Sequence, residues 1–441
     1  MKLHVKFKKI FDENNKLFFY TADTAWEIFH KLTFKEAQYF LDNRAAKGYN
    51  AIQAVAVAEL DGLKTPTYEG NLLPFSDLDN LTVNDDYFDH VECVIRYANS
   101  KGIFVTLVPM WGCHIVANLA WGNSVKPIFD APKAYNFVKY LARRFKELDI
   151  IWMLGGDRPL GDPKVRSIIE AMARAIREEV GHDQLITAHT QSGLSLWDML
   201  DKPDYLDFVT WQTGHMGQNY PAWRPMQKDY ERLDIPVLNS EPCYESHPIM
   251  ASTSWKRLDN FTRFSDKEVR RSSYWSVFSS GAGITYGCYG IWQMRRKEDE
   301  AKAIPESAAA AYQNDTIPYW SDSLNFPAAF QIPFIKRFIE KLPKVETLRP
   351  AKELLLSDNP TGAGHIEVLS NATYDFIAAY IPEPTSICVD ISVFGGAFDL
   401  YWYDPRYNIY NNPITENTER QFFSIETPAT GGDYVMLLIK R

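Results

Sequence analysis

Two acidic residues stand where an apolar run gives way to a loop: Asp157, which closes the run IIWMLGG, and Glu241, which follows PVLNS. A carboxyl group there is either a turn residue paired with a neighbour, as Asp157 beside Arg158 would be, or a group held at the mouth of a fold for chemistry. The other short apolar runs end in a similar way. Asp23 and Trp26 follow the first, Glu59 the second, Trp111 and His114 the third, and His189 the fifth. Trp211, Gln212 and His215 end the sixth, Tyr244 and Glu245 come just beyond Glu241 on the seventh, and Tyr289 and Trp292 follow the eighth. Carboxylates, imidazoles and indoles gathered on one rim suit cleavage of an acetal. One carboxylic acid protonates the departing oxygen, a second carboxylate attacks or activates water, and aromatic faces stack on the C–H surfaces of a sugar.

Those residues need a frame that brings strand ends together, and the chain spells one out. Between Leu17 and about Gly290, runs of strand character alternate with segments of helical period, the pattern of a parallel sheet. The runs are Leu17–Thr21, Ala51–Ala58, Ile103–Pro109, Ile150–Leu154, Leu185–Ala188, Phe208–Trp211, Pro236–Asn239 and Gly283–Tyr286. Helix signals separate them: a capping box at Thr33 and Glu36 with Gly48 as stop, Asn84-Asp85 leading to Gly102, Asp130-Ala-Pro132, Asp162-Pro163 closed by Gly181, and Ser265 to Ser280 closed by Gly281. Eight strands alternating with capped helices predict an α/β fold of the (β/α)8 TIM-barrel type, and no glycine fingerprint of a dinucleotide-binding fold follows the first strand. The first residues, LHVKFKKI and KLFFYTA around Asp12–Asn15, predict a hairpin across the barrel bottom.

After the helix predicted from Phe326 to Leu342 the rhythm changes. LLLSD, GHIEVLS, DFIAAYI, SICVDIS, AFDLYWYD, QFFSIET and DYVMLLIK recur at short intervals between Gly, Pro and Asn, which reads as a small all-β sandwich. The expected domains are thus a barrel over 1–342 and a sandwich over 343–441, packed on the barrel because no linker run intervenes. Tyr401, Trp402 and Tyr403 stand out as an exposed aromatic cluster, although alternation along a strand turns at least one ring inward.

Composition limits the functions available. A formal charge of -9 without a block of one sign argues against nucleic acid as a partner, and no uninterrupted apolar run of membrane-spanning length is present. Five widely spaced cysteines, an odd number, indicate neither a disulfide framework nor a CxxC metal site. The N-terminal MKLHVKFKKIFDENN lacks the apolar core of a signal peptide, so the expected location is the cytoplasm, with a secreted chain relieved of its leader as the alternative. Aromatic residues make up 14 % of the chain, including 12 Trp, more than a core alone requires.

The runs FFYTADTAWEIFHKLTFKEAQYFLDNRAAKGYNAIQAVAVAELDG, IIWMLGGDRP, WQTGH and NSEPCYE closely resemble the apiosidase-like bacterial glycoside hydrolases, continuously from Leu17 to about Trp292. From about Leu348 the chain also resembles the β-sandwich usually appended to that barrel, a domain sometimes labelled collagen-binding. The resemblance implies Asp157 as general acid and Glu241 as the second catalytic carboxylate, no cofactor or metal, and an oligosaccharide of plant type as substrate. Apiose is the family's characterised specificity, with β-linked xylosides, arabinosides and glucosides also open. Most barrels of the wider clan carry Asn-Glu at the end of strand four, whereas this chain carries Gly156-Asp157. Carboxyl separations of roughly 5.5 Å and of 6.5 Å or more distinguish a retaining from an inverting outcome, with retention the expectation.

Around the two carboxylates, Asp23, Glu59, Gln212, His189 and His215 are candidates to hydrogen-bond sugar hydroxyls, and His114 and Tyr244 complete the rim. Trp26, Trp111, Trp211 and Trp292 are candidate stacking platforms, and Arg158 is placed to hold a carboxylate ionised. Two other readings use the same residues. His114, His189, His215, Asp157 and Glu241 could serve a metal in an amidohydrolase-like barrel, although the first strand ends in Thr-Ala-Asp and not the His-x-His that chemistry employs. Alternatively, the barrel binds glycans without cleaving them.

Overall fold

Both faces of the central strands are buried, which is why the sequence shows them as continuous apolar runs and not as alternating ones. The computed structural model describes residues 1–117, 126–251, 257–259, 261–300, 317–417 and 420–441. Its parallel strands one to eight are Tyr20–Thr24, Ala51–Val55, Phe104–Val108, Ile150–Gly155, Ile186–His189, Val209–Gln212, Val237–Glu241 and Gly283–Tyr286. They are hydrogen-bonded in the order six, seven, eight, one, two, three, four, five, so each lies beside its neighbour in sequence. The seam between five and six carries no backbone ladder. Threonine hydroxyls span it, Thr187 donating to the Phe208 carbonyl at 2.8 Å and Thr210 to that of Ala188 at 2.5 Å.

The helices around the ring begin and end where side chains satisfy their free backbone groups. Thr33 and Glu36 cap Phe34–Lys47 reciprocally, and Gly48 closes it at a φ of 102°. Asp130 and Asp162 accept from backbone N–H groups at the starts of Ala131–Phe145 and Pro163–Val180. Asn84 differs: it precedes Asp85–Ser100, but its side chain donates to the Leu73 carbonyl and leaves the helix start without a side-chain cap.

The barrel interior is layered. Leu3 and Ile10 of the N-terminal hairpin close the bottom against Phe18, Phe104, Leu185, Phe208 and Leu238. A polar layer lies above, in which Gln53 donates to Tyr20 and Thr285 while the Tyr20 hydroxyl meets Thr106. Trp26, Val55, Val108, Trp111, Cys113 and Met153 form the top layer. The hairpin turns earlier than expected. Leu3–Lys6 pairs with Lys9–Asp12 across Phe7 and Lys8, both at positive φ, the backbone of a two-residue turn matched to strand twist. The expected turn at Asp12–Asn15 survives as a single bridge between Phe11 and Leu17.

From Leu348 the chain forms a seven-stranded antiparallel sheet faced by the two-stranded pair Ser386–Asp390 and Phe422–Glu426. Ile377, Ala379, Ile387, Val389, Phe398 and Met436 lie in the core between them. LLLSD is not a strand of the sheet; it follows a short turn and makes one bridge, Leu355 to Val389. The aromatic cluster is not exposed either. Tyr403 is fully buried against the barrel side, Trp402 lies in the sandwich core, and Tyr401 is half-buried, because the strand Phe398–Asp404 is covered on both faces.

Over its central strands the second face of the large sheet is turned to the barrel. Leu369, Phe376, Tyr380, Tyr403, Val435 and Leu437 belong to the same apolar cluster as the barrel's outer helices. The helix Asp266–Ser280 lies at this junction with 13 of its 15 residues buried. Tyr274 stacks on Tyr380 at 4.5 Å, Arg270 grips both oxygens of Asp433 at 2.7 Å, and the Trp275 indole donates to the His365 carbonyl.

Candidate active site

Strand four ends in three successive residues with positive φ: Gly155 at 87°, Gly156 at 131° and Asp157 at 40°. Packing demands the glycines. A Cβ on Gly156 would stand 2.8 Å from the Trp111 ring and 2.9 Å from the Gly112 nitrogen, and one on Gly155 would stand 2.6 Å from the His189 carbonyl oxygen. No amide side chain could therefore precede Asp157. Asp157 itself holds a backbone conformation uncommon for a residue with a side chain, a form of strain that concentrates at functional sites. The turn points its backbone N–H at His189 Nδ1, 3.1 Å away.

Strand seven presents its carboxylate by a different device. Asn239 is in register with Trp211, yet the next pair is Gln212 with Glu241, so Ser240 is an extra residue, a bulge. Asn239 faces outward, donating to Ser276 of the Asp266–Ser280 helix. Without the bulge Glu241 would follow Asn239 to that side; the extra residue turns it into the barrel mouth. There the Glu241 Oε2 lies 2.8 Å from His189 Nε2 and its Oε1 lies 3.5 Å from His215 Nε2.

The hydrogen bonds assign both imidazole tautomers. His189 Nδ1 receives the Asp157 N–H and His215 Nδ1 receives the Tyr244 N–H at 3.4 Å, so each Nδ1 is an acceptor. Each Nε2 then carries the hydrogen: that of His189 donates to Glu241 Oε2, and that of His215 faces Oε1 at the longer distance. Burial alone would raise the Glu241 pKa, but the bonds from His189 and His215 outweigh it and hold the carboxylate well below its usual range. Asp157 is driven the opposite way. Burial, reinforced by the charge on Glu241, raises it, and Arg158 and His189 offset only part of that.

Arg158 serves three groups. It donates to the Asp157 carbonyl at 2.8 Å and to Glu59 Oε1 at 2.9 Å, and stands 3.7 Å from the Asp157 carboxylate. Burial still raises the Glu59 pKa against this pull. Trp26 and Trp111 pack at 5.1 Å with both rings within 6 Å of His189, and the Trp26 indole donates to the Tyr244 hydroxyl at 3.3 Å. Half-buried Trp292 packs against the apolar cluster that contains this pair, and Gln212 stands beside Glu241 with its carbonyl oxygen buried and unbonded.

Three of the expected rim residues, Asp23, Trp211 and Glu245, are elsewhere. Asp23 points away from the mouth, its carboxylate 2.5 Å from Arg44 on the Phe34–Lys47 helix, because strand one runs on through Thr24 and puts position 23 on the outer face. Trp211 also faces outward: its indole donates to Asp229 of the helix Trp223–Arg232 and its ring lies in the outer apolar layer, which removes it as a stacking platform. His114 is a brace, donating from Nε2 to the Ala58 carbonyl beside Glu59, and burial lowers its pKa to about 4. Glu245 bonds Tyr286 and the Ala328 N–H behind the strands.

The sequence reading missed His247, whose ring stacks on His215 at 3.8 Å and 18°. Its one signal in the sequence is position, six residues beyond Glu241 in the same strand-end loop. A metal finds little here: both nitrogens of His189 and of His215 are committed, and among the described residues no three His, Cys, Asp or Glu side chains group as ligands.

A family model described as apiosidase-like, catalytic domain, matches residues 6–346. A solved structure described as a glycoside hydrolase superposes with a TM-score of 0.84 at 23 % identity, covering 100 % of this chain and 97 % of that one. A family 5 glycoside hydrolase from Bacteroides vulgatus gives 0.83 at 23 % identity over 100 % and 93 %. A family 27 β-L-arabinopyranosidase from Geobacillus stearothermophilus gives 0.52 at 10 % identity over 96 % and 95 %. No curated protein matches the sequence. At such identities the solved structures speak for the fold.

Proposed function

Because the chain belongs to the apiosidase-like family and is thereby a glycoside hydrolase, we propose that it cleaves short plant-type oligosaccharides with Asp157 as general acid and Glu241 as nucleophile. The observation that carries this reading is the opposite bias of two carboxyl groups at one barrel mouth. Asp157 is pushed toward the protonated form and Glu241 toward the ionised form, the division of labour that acid-assisted glycoside cleavage needs. Asp157 gives its proton to the departing oxygen while Glu241 forms a glycosyl ester. Asp157, now a carboxylate, then draws a proton from water, which releases the sugar with its anomeric configuration retained. Glu59 and Arg158 are the groups best placed to bind sugar hydroxyls, and Trp292 offers the ring surface for stacking.

The test is hydrolysis of 4-nitrophenyl glycosides and cell-wall oligosaccharides, apiosides, arabinosides and xylosides among them, by wild type, Asp157→Asn and Glu241→Gln. Both variants should lose about a thousandfold in kcat on natural linkages. On aryl glycosides, whose leaving group needs no acid, azide should revive Asp157→Asn and yield a glycosyl azide of retained configuration. Hydrolysis with an inverted product, read by proton NMR, would make Glu241 a base acting on water; unimpaired activity in both variants would remove the pair altogether.

A further inference from the structure

The polar contacts of His215 are long, 3.5 Å to Glu241 Oε1 and 3.4 Å from the Tyr244 N–H, so they orient its ring weakly. Flat packing supplies what they lack. His247 covers one face at 3.8 Å, Tyr244 meets the ring edge-on at 4.6 Å, and Phe264 lies at 6.5 Å. His247 in turn is tied from several directions. Its Nδ1 donates to the Pro248 carbonyl at 2.6 Å, its N–H to the Tyr244 carbonyl, and its own carbonyl accepts the Phe264 N–H. Tyr289 closes its far side edge-on at 4.7 Å.

We infer that His247 is a positioning residue for Glu241: by stacking on His215 it keeps that imidazole's Nε2–H aimed at Glu241 Oε1. The inference rests on Glu241 being the catalytic carboxylate. Without the flat ring, His215 can rotate about its side-chain bonds, and Glu241 keeps its firm donor, His189, but loses the longer contact from His215. The pKa of Glu241 then rises toward the ordinary carboxylate range, and the acid limb of the pH profile moves up with it. The groups facing Glu241 are His189, His215, His247, Asp157, Glu59 and Tyr244, and those facing His247 are His215, Tyr244, Tyr289, Arg263 and Glu241 itself. Burial beside another imidazole disfavours a charged His247, whose pKa is lowered.

The experiment compares His247→Leu, which keeps bulk without a flat face, with His247→Phe, which keeps the face without the nitrogens. Readouts are kcat/KM against pH on the 4-nitrophenyl glycoside that wild type cleaves fastest, and the pH dependence of carbodiimide coupling at Glu241, read by peptide mass. The Leu variant should lose about threefold to tenfold in kcat/KM, the range of an aromatic stacking pair, and its acid limb and coupling midpoint should rise by about half a pH unit. The Phe variant should return both to the wild-type position. An unmoved acid limb in the Leu variant, equal displacement in the Phe variant, or failure of both proteins to fold would overturn the inference. Glu241→Gln run alongside separates the two claims: if it stays active, the assignment of Glu241 fails, whereas if it is inactive and the Leu limb is unmoved, only the role of His247 fails.

Discussion

An aspartate meets an arginine on both sides of the barrel strands, and the two pairs do opposite work. Behind strand one, Asp23 and Arg44 face each other at 2.5 Å, both fully buried, with the Arg44 guanidinium also holding the Leu324 carbonyl. In the barrel mouth, Arg158 makes its close contact with Glu59 and stands 3.7 Å from Asp157, while Glu241 adds a second negative charge nearby. Burial raises both aspartates, Asp23 to about 6. An arginine devoted to one carboxylate makes a fastener, whereas one shared among several acids leaves a carboxyl that keeps its proton and can hand it on. On the proposed mechanism, the difference between fastener and acid lies in how positive charge is divided, and the residue types alone do not decide it.

Arg44→Met gives the largest test of that contrast. Stranding Asp23 in an apolar layer should cost about 3–5 kcal/mol, read from urea unfolding at pH 7. The raised folded-state pKa fixes the sign of the pH effect: stability falls as pH climbs from the unfolded value of about 3.9 through the folded one, so the loss should be smaller at pH 5 than at pH 8. The folded fraction should keep wild-type kcat/KM; a selective collapse of kcat would bring Asp23 back into the catalytic site. The pH profile sharpens the inner half of the comparison. In the proposed mechanism protonated Asp157 and ionised Glu241 are the working forms, so a raised Asp157 would extend activity toward alkali and a lowered Glu241 would extend it toward acid. The profile should be broad, and Asp157→Asn should lose its alkaline limb only; an alkaline limb that persists in Asp157→Asn belongs to some other group. The smallest effect is expected from the tryptophans. Trp211→Phe, by losing its bond to Asp229, should cost about 1 kcal/mol of stability and leave KM alone, whereas Trp292→Ala should raise KM about threefold with little loss of stability.

Much of this frame was legible because its signals are local. Thr33 with Glu36, Gly48, Asp162 and Gly281 each act within a few residues, and the structure uses them as the sequence suggests. The side of the strand on which a residue falls was harder to read, because a shift of one position moves it from mouth to outer wall. The sequence ends the first strand at Thr21 and so reads Asp23 as a rim residue; in the structure the strand continues through Thr24 and Asp23 faces a helix. The place of Glu241 after the seventh run puts it at the mouth, while the bulge at Ser240 that turns it there has no mark in the letters NSE. His247 depends on a stack between two loop residues thirty-two positions apart, which no local pattern announces.

A helix walled in on both flanks cannot belong to one half of a protein alone. Asp266–Ser280 gives its barrel flank to Asn239, next door to Glu241, and its far flank to Tyr380 and Asp433 of the sandwich. In the terms of gene shuffling, the joint near residue 342 is therefore a poor crossover point, however clearly the rhythm of the chain changes there. A sandwich borrowed from a relative would arrive without the groove that Tyr274 and Arg270 were shaped to meet, and the donor helix would have to travel with it. Exchanging either half alone would break the contacts that this one helix makes to both.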